Sequence, residues 1–346
     1  MVETELKRDR VIIRLGTKKW EWTLEPRYWR NTLMWAAILF LLPIPCYFFL
    51  PGIINTMISA NIYAAIAMPL ALMTIGTGRM NFGPQFYIGV GGYTAALLSI
   101  AFGWGPLMTL PFALLTAMIA ALLFSPLVIM ARGLYYVLLT LLLPLVFLEV
   151  TFIYTDIFKG DTGLFGIVPL LNTGNAKINF LLIGYLSTAL MFAYLWIINK
   201  VLKSRYGLIM AAINDDEEVA HSIGVNINKV KIIAFVAAST MVGLIGWFYA
   251  HYFSSFAGIT YLPLTFMLKI LLVLMIGGRA QVFGCVVGGY FIAFLEMLMI
   301  RFMGPIQPLL FPIILLILLF ILPEGLFGLY RKRRYREYLP TIHVRR

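Results

Sequence analysis

Apolar runs of eighteen or more residues recur from residue 33 to residue 322, separated by short polar stretches. Runs of that length and composition can cross a bilayer as helices. Ten spans are expected, at roughly 31–50, 53–75, 84–102, 106–130, 134–154, 178–199, 230–250, 262–277, 282–301 and 306–323. The fold class implied is all-α, a polytopic transmembrane helical bundle. Pro43, Pro45, Pro69, Pro126 and Pro144 lie inside spans. Their missing amide hydrogens predict kinks or local unwinding. Residues 1–30 and 331–346 read as basic tails flanking a membrane domain over 31–330.

An even number of spans returns both tails to one side. With a cytoplasmic N-terminus, the connections at Arg79, Arg132 and Arg279 fall inside, as does a long loop with Lys200, Lys203, Arg205, Lys229 and Lys231. The opposite connections, at 102–105, 154–177, 251–261 and 302–307, carry little net positive charge. This asymmetry is the positive-inside pattern of a multi-pass membrane protein.

The longest polar interruption among the spans is 204–231. It reads as a short helix with both ends specified. Asn214 can act as N-cap with Glu217 three residues on, and Asp215 with Glu218 is the alternative one residue along. Asp215, Asp216, Glu217 and Glu218 then crowd the first turn, where the helix dipole favours negative charge. Val219, Ala220 and Ile223 form a narrow apolar stripe, and Gly224 ends the helix. A capped amphipathic helix in a loop suits docking by another protein.

Two segments repeat each other. Ile75 to Gly83 (IGTGRMNFG) resembles Ile276 to Gly284 (IGGRAQVFG), and Gly-Gly-Tyr follows at Gly91–Tyr93 and Gly288–Tyr290. Both copies link an inward-going span to an outward-going one, so the repeat is parallel. Glycine-interrupted apolar segments of this kind point to a transport pathway. Gly89, Gly92 and Gly288 read as close-packing positions. Gly76, Gly78 and Gly83 read as a site of backbone unwinding, tolerated where protein or a water-filled cavity satisfies the freed groups.

Charges inside the spans are few: Glu149, Lys269, Glu296 and Arg301. Each needs a partner, an aqueous lining or a nearby boundary. For Lys269 two readings are open: an ion pair with Glu296 in the next span, or a pathway position that attracts a carboxylate.

Composition sharpens this. The chain has 346 residues, 61% of them hydrophobic and 12% charged, so no sizeable soluble domain fits. Its net charge of +12 is concentrated in the two tails and indicates membrane flanks rather than nucleic-acid binding. No cleavable leader is expected before the first span, since the basic tail is long and contains acidic residues. Cys46 and Cys285 sit in apolar runs as small core side chains. The Glu217-to-His221 segment lacks the second histidine of a zinc helix, so no metal site is expected.

Several blocks resemble the permeases of the high-affinity branched-chain amino acid transporter family, in particular its longer membrane subunit. They include Ala211-Ala212-Ile213, Asp216-Glu217, Ala220, Gly224, Lys231, Ala234-Phe235 and Gly243–Gly246. The glycine pattern from Gly76 through Phe86 to Tyr93 matches too, as do Arg132–Tyr136 with Thr140-Leu141. Gly160–Leu164 with Gly166-Ile167, Gly277-Gly278, Gly284 and Leu322–Leu326 complete the set. The resemblance implies an ATP-driven importer. This subunit would pair with a second, homologous permease subunit, two cytoplasmic ATPases and an extracytoplasmic solute-binding protein. ATP and magnesium would be used by the ATPases, in keeping with the lack of a GxxxxGK[ST] phosphate loop here.

By that resemblance, the ATPase-docking helix is Asn214, Asp215, Asp216, Glu217, Glu218, Ala220 and Gly224. The candidate pathway positions are Gly76, Gly78, Asn81, Gly83, Gln85, Thr140, Lys269, Gly277 and Gly278. Gly160, Asp161, Thr162 and Gly163, in the outer loop 155–177, are candidates for contact with the binding protein. Asn81, Pro84-Gln85 and Arg279-Ala280-Gln281 depart from the family's usual residues, which opens the choice of solute among neutral amino acids, urea and short amides. Of two rival classes, an ion-coupled secondary transporter fits the repeat but not the coupling-loop resemblance, and an intramembrane enzyme lacks a motif joining Glu149 and Glu296.

Overall fold

The computed structural model describes residues 2–7, 10–15, 18–23, 51–131, 133–222, 224–278 and 282–321. The apolar run at 31–50 with Pro43, Pro45 and Cys46 lies outside them. So do Arg132, Ile223, the turn at 279–281 and everything from residue 322, including the basic C-terminal tail.

The N-terminal segment, expected only as a basic tail, contains a three-stranded antiparallel sheet: β1 (Val2–Lys7), β2 (Arg10–Leu15) and β3 (Lys18–Thr23), in that order. Its register aligns Leu6, Val11 and Trp22 in one rank and Thr4, Ile13 and Trp20 in another. Glu3, Arg14 and Lys19 form a further rank.

The membrane region begins with α1 (Pro51–Thr77), α2 (Pro84–Phe102), α3 (Pro106–Phe124), α4 (Pro126–Met130) and α5 (Gly133–Ile153). A short α6 (Thr155–Phe158) and β4 (Leu164–Phe165) lead to α7 (Ala176–Leu202). Two short helices, α8 (Arg205–Asp215) and α9 (Glu217–Ser222), precede α10 (Ile227–Phe253). After β5 (Ser255–Phe256) come α11 (Gly258–Tyr261), α12 (Leu264–Gly277), α13 (Val282–Met303) and α14 (Gln307–Ile321).

Eight helices long and apolar enough to cross a membrane are present among the described residues. Of the ten expected, 31–50 lies outside them, and α14 is described over only 15 residues. The span at 106–130 is divided at Ser125, because Pro126 has no amide hydrogen to continue the ladder. Pro69 and Pro144, in contrast, lie within unbroken helices.

α1 is the central element. Its apolar window is 83% buried within the protein, against 22% for that of α5, which turns most of its side chains outward. Helices meet where glycine removes the side chain. A Cβ at Gly91 would collide with the Gly243 carbonyl, and one at Gly288 with that of Val273. Such contacts replace the hydrophobic drive that lipid cannot supply.

Several polar groups inside the bundle are paired across helices. Asn61 donates to Ser187 Oγ (3.1 Å) and Thr188 Oγ1 (2.9 Å) and accepts from Tyr290 (2.8 Å), joining α1, α7 and α13. Buried His251 lies 2.7 Å from the Val168 carbonyl through Nδ1 and 2.7 Å from Thr109 Oγ1 through Nε2. The carbonyl can only accept, so Nδ1 carries the proton. Together with the β4–β5 ladder, this fastens the loop after α5 to the end of α10.

Candidate coupling site

The loop at 204–231 folds as two helices rather than one. Ser204 caps α8, and α8 packs along the end of α1. Asn214, expected as an N-cap, lies in the last turn of α8 and donates to the Ile75 carbonyl at 3.4 Å. The cap of α9 is Asp216, whose Oδ1 accepts from the amides of Glu218 (2.8 Å) and Val219 (3.1 Å). Three successive cap-forming residues, Asn214 to Asp216, make the start ambiguous in sequence. Packing of Asn214 against α1 decides it.

The other end follows the expectation. Gly224 is left-handed, with φ +85°. The Gly224 amide donates to His221 O and the Val225 amide to Ala220 O, closing a glycine-terminated helix end. Asp215, Asp216, Glu218 and Val219 are exposed, whereas Ala220 is buried. The short helix therefore presents an acidic edge beside one exposed apolar side chain.

Glu217 faces the other way. Its carboxylate is shared by Lys231, on α10, and by Arg79 at 3.5 Å. Burial raises the Glu217 pKa, but the Lys231 hydrogen bond and the charges of Lys231 and Arg79 outweigh it and hold the carboxyl below its ordinary value. Arg79 also donates to the carbonyls of Val128 and Ala131, at the end of α4. Arg79, Glu217 and Lys231 line a cleft of about 520 Å³ with His221, Asn226 and Asn228.

Arg79 belongs to the non-helical break between α1 and α2. Gly78 has φ +68°, and a Cβ there would collide with Asn214 Oδ1. Past Arg79, Asn81 Oδ1 accepts from the Gly83 amide at 2.8 Å, and the Phe82 amide donates to Thr140 Oγ1 at 3.1 Å. A Cβ at Gly83 would strike the Thr140 carbonyl. The unwound backbone is thus satisfied by protein, as the bilayer requires.

The site residues expected from sequence divide accordingly. Gly78, Asn81, Gly83 and Thr140 converge and connect through Asn214 and Glu217 to the loop helices. Gly76 is helical and packs on Met210. Gln85 is buried in the first turn of α2, and its Oε1 has no hydrogen-bond partner among the described residues. Gly277 packs against Gly284 at the α12–α13 turn, followed by Gly278 at φ +104°. Lys269 pairs with Glu296.

Gly160, Asp161, Thr162 and Gly163 form a tight turn at the far end of α5, with Asp161 and Thr162 exposed. Arg79 was legible only as a loop charge. Its place between Gly78 and the departing backbone was the available signal for a larger role.

The family model described as "Branched-chain amino acid transport system / permease component" matches residues 52–323. The chain belongs to that family. It is 22% identical over 272 residues to the probable branched-chain amino acid transport permease protein LivH of Methanocaldococcus jannaschii, covering 72% of this chain and 81% of the relative. It is 24% identical over 305 residues to the high-affinity branched-chain amino acid transport system permease protein LivM of Salmonella typhimurium, covering 81% and 71%. No solved structure matches. The chain is therefore a multi-pass membrane protein and a permease component.

Proposed function

We propose that this permease component works in an ATP-driven importer of branched-chain or related neutral amino acids. A second permease subunit would complete the pathway, and two cytoplasmic ATPases using ATP and magnesium would drive it. An extracytoplasmic binding protein would deliver the solute, with Gly160–Gly163 as a contact. The observation carrying this reading is the placement of Glu217. On one side its short helix offers Asp216, Glu218 and Val219 for docking; on the other its carboxylate grips Arg79 in the α1–α2 break. A push on α9 would reach Asn81 and Thr140 through that grip, opening or closing the pathway.

The test is co-purification with the ATPases and uptake by the reconstituted complex. Replacing exposed Glu218 with lysine and exposed Val219 with aspartate, which leaves the Glu217 contacts in place, should abolish recovery of the ATPase. An intact complex after that change would refute docking on α9. A second solute class, urea or short amides, is favoured by the carbonyl oxygen of buried Gln85, which has no partner among the described residues and can accept from an N–H-rich solute. Titration of the purified binding protein with leucine and with urea separates the two.

A further inference from the structure

The cleft beside Glu217 is lined by more positive than negative charge. Among the described residues that line it, Arg79 and Lys231 are cationic and Glu217 is the one carboxylate, a sum of +1 with His221 neutral. Both cations are largely withdrawn from water: the Arg79 side chain is 10% exposed and that of Lys231 3%. Charge held at such low exposure needs counter-charge, and here a single carboxylate oxygen of Glu217 serves both cations.

The backbone adds to the same potential. Asn226, Ile227 and Asn228 also line the cleft, and they form the cap and first turn of α10, a helix of 27 residues. The first amides of a helix have no intrahelical acceptor, and the Asn226 side chain accepts from that of Lys229 at 3.1 Å. The aligned peptide dipoles place partial positive charge at this end.

The place of the cleft in the bundle selects the anion. Arg79 lies between the spans Ile53–Thr77 and Pro84–Phe102, Ile129 is at the end of Pro106–Met130, and Ile227 begins Ile227–Phe253. The cleft is therefore level with the ends of several spans, the depth at which phospholipid phosphates lie. Next to Ile129 along the chain, Met130, Leu134 and Tyr135 are exposed. Acyl chains can lie along these side chains while a headgroup reaches the cleft. Its volume of about 520 Å³ is that of a small-molecule site. Basic pockets between span ends hold phosphate headgroups, and an arginine matches phosphate geometry with paired donors.

We infer that this cleft binds a phosphate group between Arg79, Lys231 and the first turn of α10, with an anionic phospholipid as the source that the apolar rim favours. The phosphate competes with Glu217 for the two cations, so its occupancy sets how firmly α9 is tied to the α1–α2 break. The site is independent of which solute is carried and of what drives transport.

The test uses the full chain purified in a non-ionic detergent. It is titrated separately with phosphatidylglycerol, phosphatidylcholine and inorganic phosphate, and the rise in thermal unfolding midpoint is followed. Phosphatidylglycerol should act at a severalfold lower concentration than phosphatidylcholine. Asn228 is exposed at the cleft, so its charge can be changed without disturbing the core. Asn228→Asp cancels the net charge and suits a first helical turn; it should weaken the phosphatidylglycerol response severalfold. Asn228→Lys should strengthen it severalfold. The same two changes at exposed Ala211, outside the cleft lining, should leave it unmoved. A role confined to folding would not reverse sign in this way. A response to inorganic phosphate without one to phosphatidylglycerol, with the same dependence on residue 228, would uphold the phosphate site and make a free anion its source. Equal responses to the two lipids with none to inorganic phosphate, or no effect of either Asn228 substitution, would overturn the proposal.

Discussion

The ammonium of Lys269 lies 2.6 Å from a Glu296 carboxylate oxygen, and Tyr63 donates to the other oxygen at 2.9 Å. Three helices, α1, α12 and α13, meet at this half-buried pair. Removing one partner strands the other charge in a membrane interior, which costs about 3–5 kcal/mol where burial is complete and less here. Lys269→Met should therefore lower the thermal midpoint of the detergent-purified protein by several degrees. Adding Glu296→Leu should restore most of the loss. If Lys269→Met keeps its stability yet changes uptake, the lysine serves solute rather than structure.

Glu217 sets a pH dependence. Its carboxyl titrates below its ordinary value in the folded protein because Lys231 and Arg79 stabilise the charged form. A depressed carboxylate contributes stability that is complete above the unfolded-state pKa and lost as pH falls through the folded one. The stability difference between the native chain and Glu217→Gln should thus be constant from neutral pH down to the ordinary carboxylate range and vanish in stronger acid. With the side chain 33% exposed, the difference should be about 1 kcal/mol or less. A difference that grew on acidification would contradict the pairing.

The sequence showed the spans because their apolar runs are longer than any soluble helix needs, and it showed the end of α9 because Gly224 is specific. It did not show which residue starts α9, since Asn214, Asp215 and Asp216 can each cap and only contact with Ile75 removes the first. The N-terminal sheet was hidden by its charge. Its two-residue alternation, as in Val2-Glu3-Thr4-Glu5-Leu6, is plain, but Lys and Arg density suggested a solvated tail. Asn61 and His251 were invisible for another reason: their partners lie 126 and 142 residues away. The Lys269–Glu296 pair was one of two open readings, and geometry chose between them.

Glycine roles in the α1–α2 break can be separated by alanine substitution. Gly103 has φ +65° with nothing near a would-be Cβ, so Gly103→Ala measures the left-handed backbone cost alone, about 1–2 kcal/mol. Gly78→Ala meets the same backbone cost and also displaces Asn214. Gly83→Ala, at ordinary φ, drives into the rigid backbone at Thr140. Both should destabilise the purified protein more than Gly103→Ala, as read by thermal unfolding, and both should reduce solute uptake. Equal effects from all three would mean that the break is not interlocked with its neighbours.

The two candidate docking surfaces should lie across the membrane from each other. α5 runs 21 residues from Gly133, near the Arg79 contacts, to Ile153, just before the Gly160–Gly163 turn. At 1.5 Å per residue that is about 30 Å, the thickness of the hydrocarbon core. Asp161 and Glu218 are both exposed, so a cysteine at either reacts readily once Cys46 and Cys285 are removed. In intact cells an impermeant maleimide should label Asp161→Cys and spare Glu218→Cys. Inside-out vesicles should reverse the pattern. Labelling of both in intact cells would place the acidic edge of α9 beyond the reach of any cytoplasmic ATPase.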